Sequence, residues 1–254
     1  MSETVLSSLW DGLSDHLIAT FYAVESGEGA SWSRTPGEPT VQAPLTEATI
    51  DVQLQWQSPF ENSGAEAGVP TLAAMLQSGA FQPVMDATIG AVMPDTSSNL
   101  KSQLAAFEGR TGITKLNSTQ VFNGMPPVRI TCTALFRAWR DGRTEVDAPV
   151  DQLMRWALPT ALSPDGSILA RAAETARGDM GLVDAAMPSL SPTKVAMRYK
   201  GRTYCPLVIE SIGFPLSSPV NSTGNFVQVA VSITLCTLTA IDRTDWENAK
   251  TLKL

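Results

Sequence analysis

The chain has 254 residues, and a hydrophobic content of 43% is enough to build a substantial core, which excludes a disordered protein. Eighteen Lys and Arg against 25 Asp and Glu leave a net charge of −7, which argues against a protein that holds nucleic acid by neutralising phosphates. The charge is unevenly divided, with residues 1–127 at net −9 and residues 128–254 at net +2, a pattern that fits complementary faces meeting between subunits as well as chance segregation of surface residues.

In chain order, Val5, Leu6, Leu9, Trp10, Leu13 and Leu17 recur at helical spacing and predict an amphipathic N-terminal helix, while Leu17 to Val24 also reads as a strand. No basic region precedes an apolar run, and no stretch of 18 apolar residues occurs, so neither a leader peptide nor a membrane span is expected. Residues 25–46 are rich in Gly, Pro and Ser and read as a loop or arm. Ile50, Val52, Leu54 and Trp56 alternate with Asp51, Gln53, Gln55 and Gln57, which predicts a half-buried strand. Residues 58–120 mix turn residues with short helical runs, TLAAMLQSGAF and NLKSQLAAFEG.

The second half is more regular. Val128, Ile130, Cys132, Ala134 and Phe136 form the apolar side of a long strand that ends near Asp141-Gly142. Asp147 is placed to cap a helix running to Leu158, with Pro149 in its first turn and Val150, Leu153, Met154 and Ala157 as its stripe. Residues 159–193 form an insertion, with a short helix expected at Ser167–Arg177; a connection of that length is usually functional or touches a partner. The run VAMRYKGRTYCPLVIESIGF predicts a hairpin turning at Lys200-Gly201. The last strand, NFVQVAVSITLCTL, sets Val227, Val229, Val231, Ile233 and Leu235 on one face and Gln228, Ala230, Ser232, Thr234 and Cys236 on the other. That second face carries no charge, which is unusual for a surface that meets water.

Residues with chemical potential are few. His16 is the single histidine, and although Asp15 stands beside it, no nucleophile elbow or second histidine accompanies it; a surface role is expected. Cys132, Cys205 and Cys236 have spacings that fit neither a disulfide framework nor a zinc knuckle, and Cys132 and Cys205 are expected to be buried structural thiols. The segment GRTGITK superficially resembles a phosphate loop but lacks its spacing. Asp141, Glu145, Asp147 and Asp151 read as caps and a solvated face, and the six tryptophans as core and interface packing. Catalytic, cofactor-binding and metal-binding residues are accordingly expected to be none.

From about Met125 the succession of Arg129 to Trp139, Asp147 to Pro149, Pro192 to Gly201, Val208 to Ile212 and Val227 to Leu235 resembles the tail-tube fold of contractile-tailed bacteriophages. More narrowly, it is similar to the baseplate proteins that join the tube to the central hub and spike. The resemblance covers roughly the last 130 residues. It implies an α+β, strand-dominated domain over 121–254, a tail-tube-like β-sandwich or barrel with a packed helix and long insertions; residues 1–120, which match the pattern only at the Ile50–Trp56 strand, read from their own pattern as a helix, one strand and arms. It further implies a non-enzymatic structural protein of the virion, self-associating in a ring, hexameric in such relatives, beside hub and tail-tube proteins, with DNA passing transiently and without specific binding. The uncharged strand face would then line a subunit-built wall. The alternatives are a self-contained sandwich whose second face lies under its own helix, a small-ligand-binding β-barrel module, and a baseplate-associated cell-wall hydrolase.

Overall fold

The computed structural model describes residues 4–27, 31–57, 120–162 and 189–250. The chain divides into two units, Met1–Gln53 with Pro126–Leu254, and Leu54–Met125. The first is α+β and dominated by strands. It contains β1 (Val5–Ser7), β2 (Ile18–Ser26), β3 (Trp32–Arg34), β4 (Thr40–Asp51), β7 (Arg129–Arg137), β8 (Val195–Tyr199), β9 (Arg202–Gly213) and β10 (Gln228–Thr237), with helices α1 (Ala148–Ala157) and α2 (Arg243–Asn248). The second unit holds β5 (Gln55–Gln57) and β6 (Val121–Gly124), an antiparallel pair whose Trp56 and Phe122 rings lie 5.4 Å apart. The helical runs expected within 58–120, the segment GRTGITK, the helix at Ser167–Arg177 and most of the 159–193 insertion lie outside the described residues. The ends of that insertion meet, with the Leu190 amide donating to the Ala161 carbonyl at 2.8 Å.

Six strands of the first unit close on themselves in the order β4, β7, β10, β9, β8, β2 and back to β4, every pairing antiparallel. β1 adds to β4 in parallel and β3 to β2. Closure depends on two long strands that change partners: Thr40–Pro44 of β4 pair with β2 and Leu45–Asp51 with β7, while Arg202–Leu207 of β9 pair with β8 and Leu207–Gly213 with β10. Inside, Phe136, Val231, Ile233 and Leu235 meet Phe21, Val41, Met197 and Leu207, all fully buried. Each such side chain contributes about 1.5–3 kcal/mol by leaving water. β7, β8, β9 and β10 follow the sequence pattern, and the hairpin turns at Lys200 and Gly201 with φ of 48° and 72°, the two positive values that a type I′ turn requires.

The N-terminal half differs from expectation. Val5–Ser7 form no helix; they pair in register with Thr40–Gln42, and Gly12, at φ 86°, interrupts any helix before Leu13. The helical spacing is used by a turn from Trp10 to Leu13 and a 3-10 turn at Asp15–Leu17, after which the strand reading of Leu17 to Val24 is realised as β2. Residues 25–46 are not a loop, since they contain β3 and the first half of β4. Pro44 sits inside β4 at the changeover from β2 to β7, a place where a strand tolerates the loss of one ladder donor. The strand expected over Ile50–Trp56 is broken: β4 stops at Asp51, and Ile50 and Val52 are exposed rather than half-buried. The division drawn at residue 120 also runs through one sheet, because β1, β2 and β4 belong with β7 to β10.

The helix is present but begins earlier and is anchored differently. Asp141, not Asp147, serves the entry: its carboxylate accepts from the amides of Arg143 at 3.3 Å and Thr144 at 3.2 Å, ahead of a π-helical turn at Arg143–Asp147 that leads into α1. The hydrogen bond from the Thr144 hydroxyl holds the Asp141 carboxyl below its ordinary pKa, so this capping contribution is present near neutral pH and is lost as pH falls through the lowered folded value. Asp147 instead accepts from the Phe226 amide at 3.1 Å, tying the helix to the approach of β10. The buried stripe is Val146, Val150, Leu153 and Trp156, with Met154 and Ala157 toward its margin.

Glu145, expected on a solvated face, is buried. Its carboxylate accepts from the amides of Trp139 at 2.6 Å, Arg140 at 3.4 Å and Asp141 at 3.4 Å, donors left over where β7 ends. Its carbonyl accepts from the Ser8 hydroxyl, whose oxygen accepts from the Arg137 amide, so one residue joins β1, β7 and the helix entry. Removing the carboxylate leaves those amides without their acceptor, so Glu145→Ala is expected to lower the unfolding free energy by about 1–3 kcal/mol in chemical denaturation followed by circular dichroism. Gly142→Ala should also destabilise, because its new Cβ would lie 2.6 Å from the Phe226 carbonyl oxygen. Unchanged midpoints in both variants would contradict this account of the helix entry.

Candidate assembly surface and surface hollows

β4 from Leu45, β7, β10 and β9 from Leu207 make a four-stranded sheet with one face on the core and one turned outward. On the outward face, Ser232 stands opposite Thr133, Thr234 opposite Thr131, and Ala230 opposite Leu135; Thr133 and Thr131 in turn stand opposite Thr46 and Thr49 of β4. Ser232, Thr131, Thr46 and Thr49 are exposed, and Ala230, Thr133 and Thr234 are half-buried, so no helix of the described residues covers the face. Along β7 and β10 the face carries charge only at its ends, and on the β4 border the exposed Glu47 sits in a bulge. Arg129 meets Glu210 in an exposed ion pair at 2.7 Å, with Asp51 its cross-strand neighbour, and the Glu210 hydrogen bond raises the Arg129 pKa further. At the other end the Arg137 guanidinium lies 4.6 Å from the Trp139 ring centre.

The two outer strands of this sheet are one-sided. Among the described residues, Leu45–Asp51 pair only with β7, and 208–213 only with β10. Exposed one-sided strands are sites where another chain can add, and proteins usually blunt them. The device present on β4 is a bulge between Thr46 and Thr49, where Glu47 takes φ 53°.

The residues singled out for their chemistry lie in different parts of the first unit. His16 is exposed in the 3-10 turn, its backbone amide 3.4 Å from the Ser14 hydroxyl oxygen. Among the described residues no three His, Cys, Asp or Glu side chains gather where they could hold a metal. Cys132 is buried, and burial pushes its thiol pKa up to about 12. Cys205 is not buried as expected but exposed, although desolvation of its thiol pushes the pKa up to about 11. Cys236 is half-buried on the outward face. Of the tryptophans, Trp156 is core, whereas Trp32, Trp139 and Trp246 carry Lys194, Arg137 and Arg202 over their rings. These cation contacts join residues far apart in the chain in two of the three cases, so no local pattern announces them.

Among the described residues of the first unit, hollows open on two sides. One, of about 410 Å³, lies on the β8, β2 and β4 side beneath the Asp15–Leu17 turn. The other, of about 680 Å³, lies between Ile50, Ile130, Tyr204, Leu238 and Trp246, with α2 as one wall. That helix is held by a capping box between Asp242 and Asp245 and by Arg202, which stacks 3.9 Å from the Trp246 ring centre and donates to its carbonyl at 2.8 Å.

The raised thiol values set a chemical test. Only the thiolate reacts with a disulfide reagent, so at pH 8 about one Cys205 in a thousand is in the reactive form. Its labelling should be slow for an exposed thiol and rise about tenfold per pH unit toward 11, while Cys132 reacts only after unfolding. Fast labelling of Cys205 at pH 7 in the folded chain would contradict the desolvation described.

No protein-family model matches this chain, and no curated protein matches it at a significant level.

Proposed function

We propose that this protein is a structural component of a bacteriophage contractile-tail baseplate, forming a ring that connects or nucleates the tail tube at the central hub. The observation that carries the reading is the four-stranded sheet that has, among the described residues, a one-sided strand at each border and no charge across the middle of its β7 and β10 strands. The two borders differ, one from β4 and one from β9. Pairing the first border of one copy with the second border of the next is a head-to-tail contact, which generates a ring when the rotation closes. Ring closure then leaves no strand edge open, and the outward faces join into one wall.

Ser, Thr, Ala and Gln suit that wall because they put neither bulk nor repelling charge into a shared channel, and an acidic protein would let DNA pass without holding it. The likeness of β7 to β10 and α1 to the tail-tube pattern supports the same reading, with hexameric closure as in such relatives and hub and tube proteins above and below. The mechanism is assembly, not turnover, and the place of action is the virion, assembled in the bacterial host cytoplasm.

Two neighbouring substitutions test this. Ser232 is exposed in the single chain, so Ser232→Lys should leave folding intact by circular dichroism, while rings and tails seen by electron microscopy should be lost as like charges meet around the wall. Val231 is fully buried, so Val231→Lys should unfold the chain itself. Normal rings and tails formed by the Ser232→Lys protein would overturn the proposal.

A further inference from the structure

The hollow beneath the Asp15–Leu17 turn has a floor set by strand register. Arg198 of β8 and Gln42 of β4 are the two cross-strand neighbours of Thr20 of β2, so a guanidinium, a hydroxyl and an amide stand side by side on the outward parity of three adjacent strands. Thr20 is 9% exposed, which makes the floor recessed rather than flat. One wall is the hairpin turn carrying Lys200, whose ammonium lies 5.3 Å from the Tyr199 ring centre; the other is the turn carrying Asp15 and His16. On the other sheet β7 and β10 carry no charge between their ends, whereas this hollow is lined by two cations, Arg198 and Lys200.

Arg198 makes no ion pair with a carboxylate among the described residues. A guanidinium and an ammonium that line one hollow, with a hydroxyl and an amide on neighbouring strands, present the donors that a phosphate group accepts, and the planar fork of arginine matches its oxygens two at a time. The carboxylate of Asp15 lines the same hollow and would repel a bare anion, so the complementary ligand also carries donors of its own. A volume of about 410 Å³ holds a phosphate and a body of sugar size. We propose that this hollow is a binding site for a small phosphorylated polyol, its phosphate held by Arg198 and Lys200 and its hydroxyls by Asp15 and Gln42. The site is independent of the assembly surface, because it lies on the other sheet and uses neither one-sided edge.

The test titrates the full-length protein with glucose 6-phosphate, inorganic phosphate, glucose and a short single-stranded oligonucleotide, read by calorimetry and by amide chemical shifts. The site predicts saturable binding of glucose 6-phosphate, weaker binding of inorganic phosphate, none of glucose, and shifts centred on Ile18, Thr20, Gln42 and Gly201. Arg198 is exposed, so Arg198→Ala should keep the fold and weaken glucose 6-phosphate binding at least tenfold. Absence of saturable binding, or binding that Arg198→Ala leaves unchanged, overturns the site. Inorganic phosphate or the oligonucleotide binding as tightly as glucose 6-phosphate overturns the assignment to a phosphorylated polyol.

Discussion

The change of partners along β4 and β9 is the constraint on which the rest of the molecule depends. Each strand gives half its length to one sheet and half to the other, and this joins two sheets into a closed core without a separate connecting element. The same geometry has a cost. Once β4 leaves β2 at Pro44, its remaining residues have a neighbour on one flank only among the described residues, and β9 beyond Leu207 is in the same position. A core closed in this way leaves two strand borders on one sheet without a partner among the described residues. The proposed ring uses that consequence, since the borders that the core leaves unpaired are the ones a neighbouring copy can fill.

The helix entry stabilises this arrangement from one end. Where β7 stops, its leftover amides need an acceptor away from bulk water, and Glu145 supplies a carboxylate from the first helical turn. The Asp147 bond to Phe226 and the close approach of Gly142 to the Phe226 carbonyl fix the same turn against the start of β10. The register of β10 against β7, and with it the uniform outward face, is thus tied to a short acidic segment that looks solvated when read as a string of letters.

What the sequence showed and what it hid divide along physical lines. β7, β9 and β10 alternate because only one of their faces is buried, and Lys200-Gly201 mark the hairpin because both residues take positive φ. β2 does not alternate cleanly, since Thr20 and Val24 are buried along with Ala19, Phe21 and Ala23. Val5 and Leu6 of β1 open an apolar spacing that reads as a helix, and only the distant partner at Thr40–Gln42 makes β1 a strand. The outward face was legible in the alternation of Gln228 to Cys236. Its open borders were not, because one-sided pairing is a property of where the neighbours end. The floor of the smaller hollow was hidden for the same reason: Thr20, Gln42 and Arg198 are brought together by register alone.

The central claim is that the borders at 45–51 and 208–213 are completed by neighbouring copies, and amide hydrogen exchange compared between the free chain and the assembled particle tests it most directly. The account predicts that amides in both segments exchange readily in the free chain and become protected together on assembly, as ladder hydrogen bonds form across the subunit boundary. Exchange at both segments that is the same in the two states would contradict it.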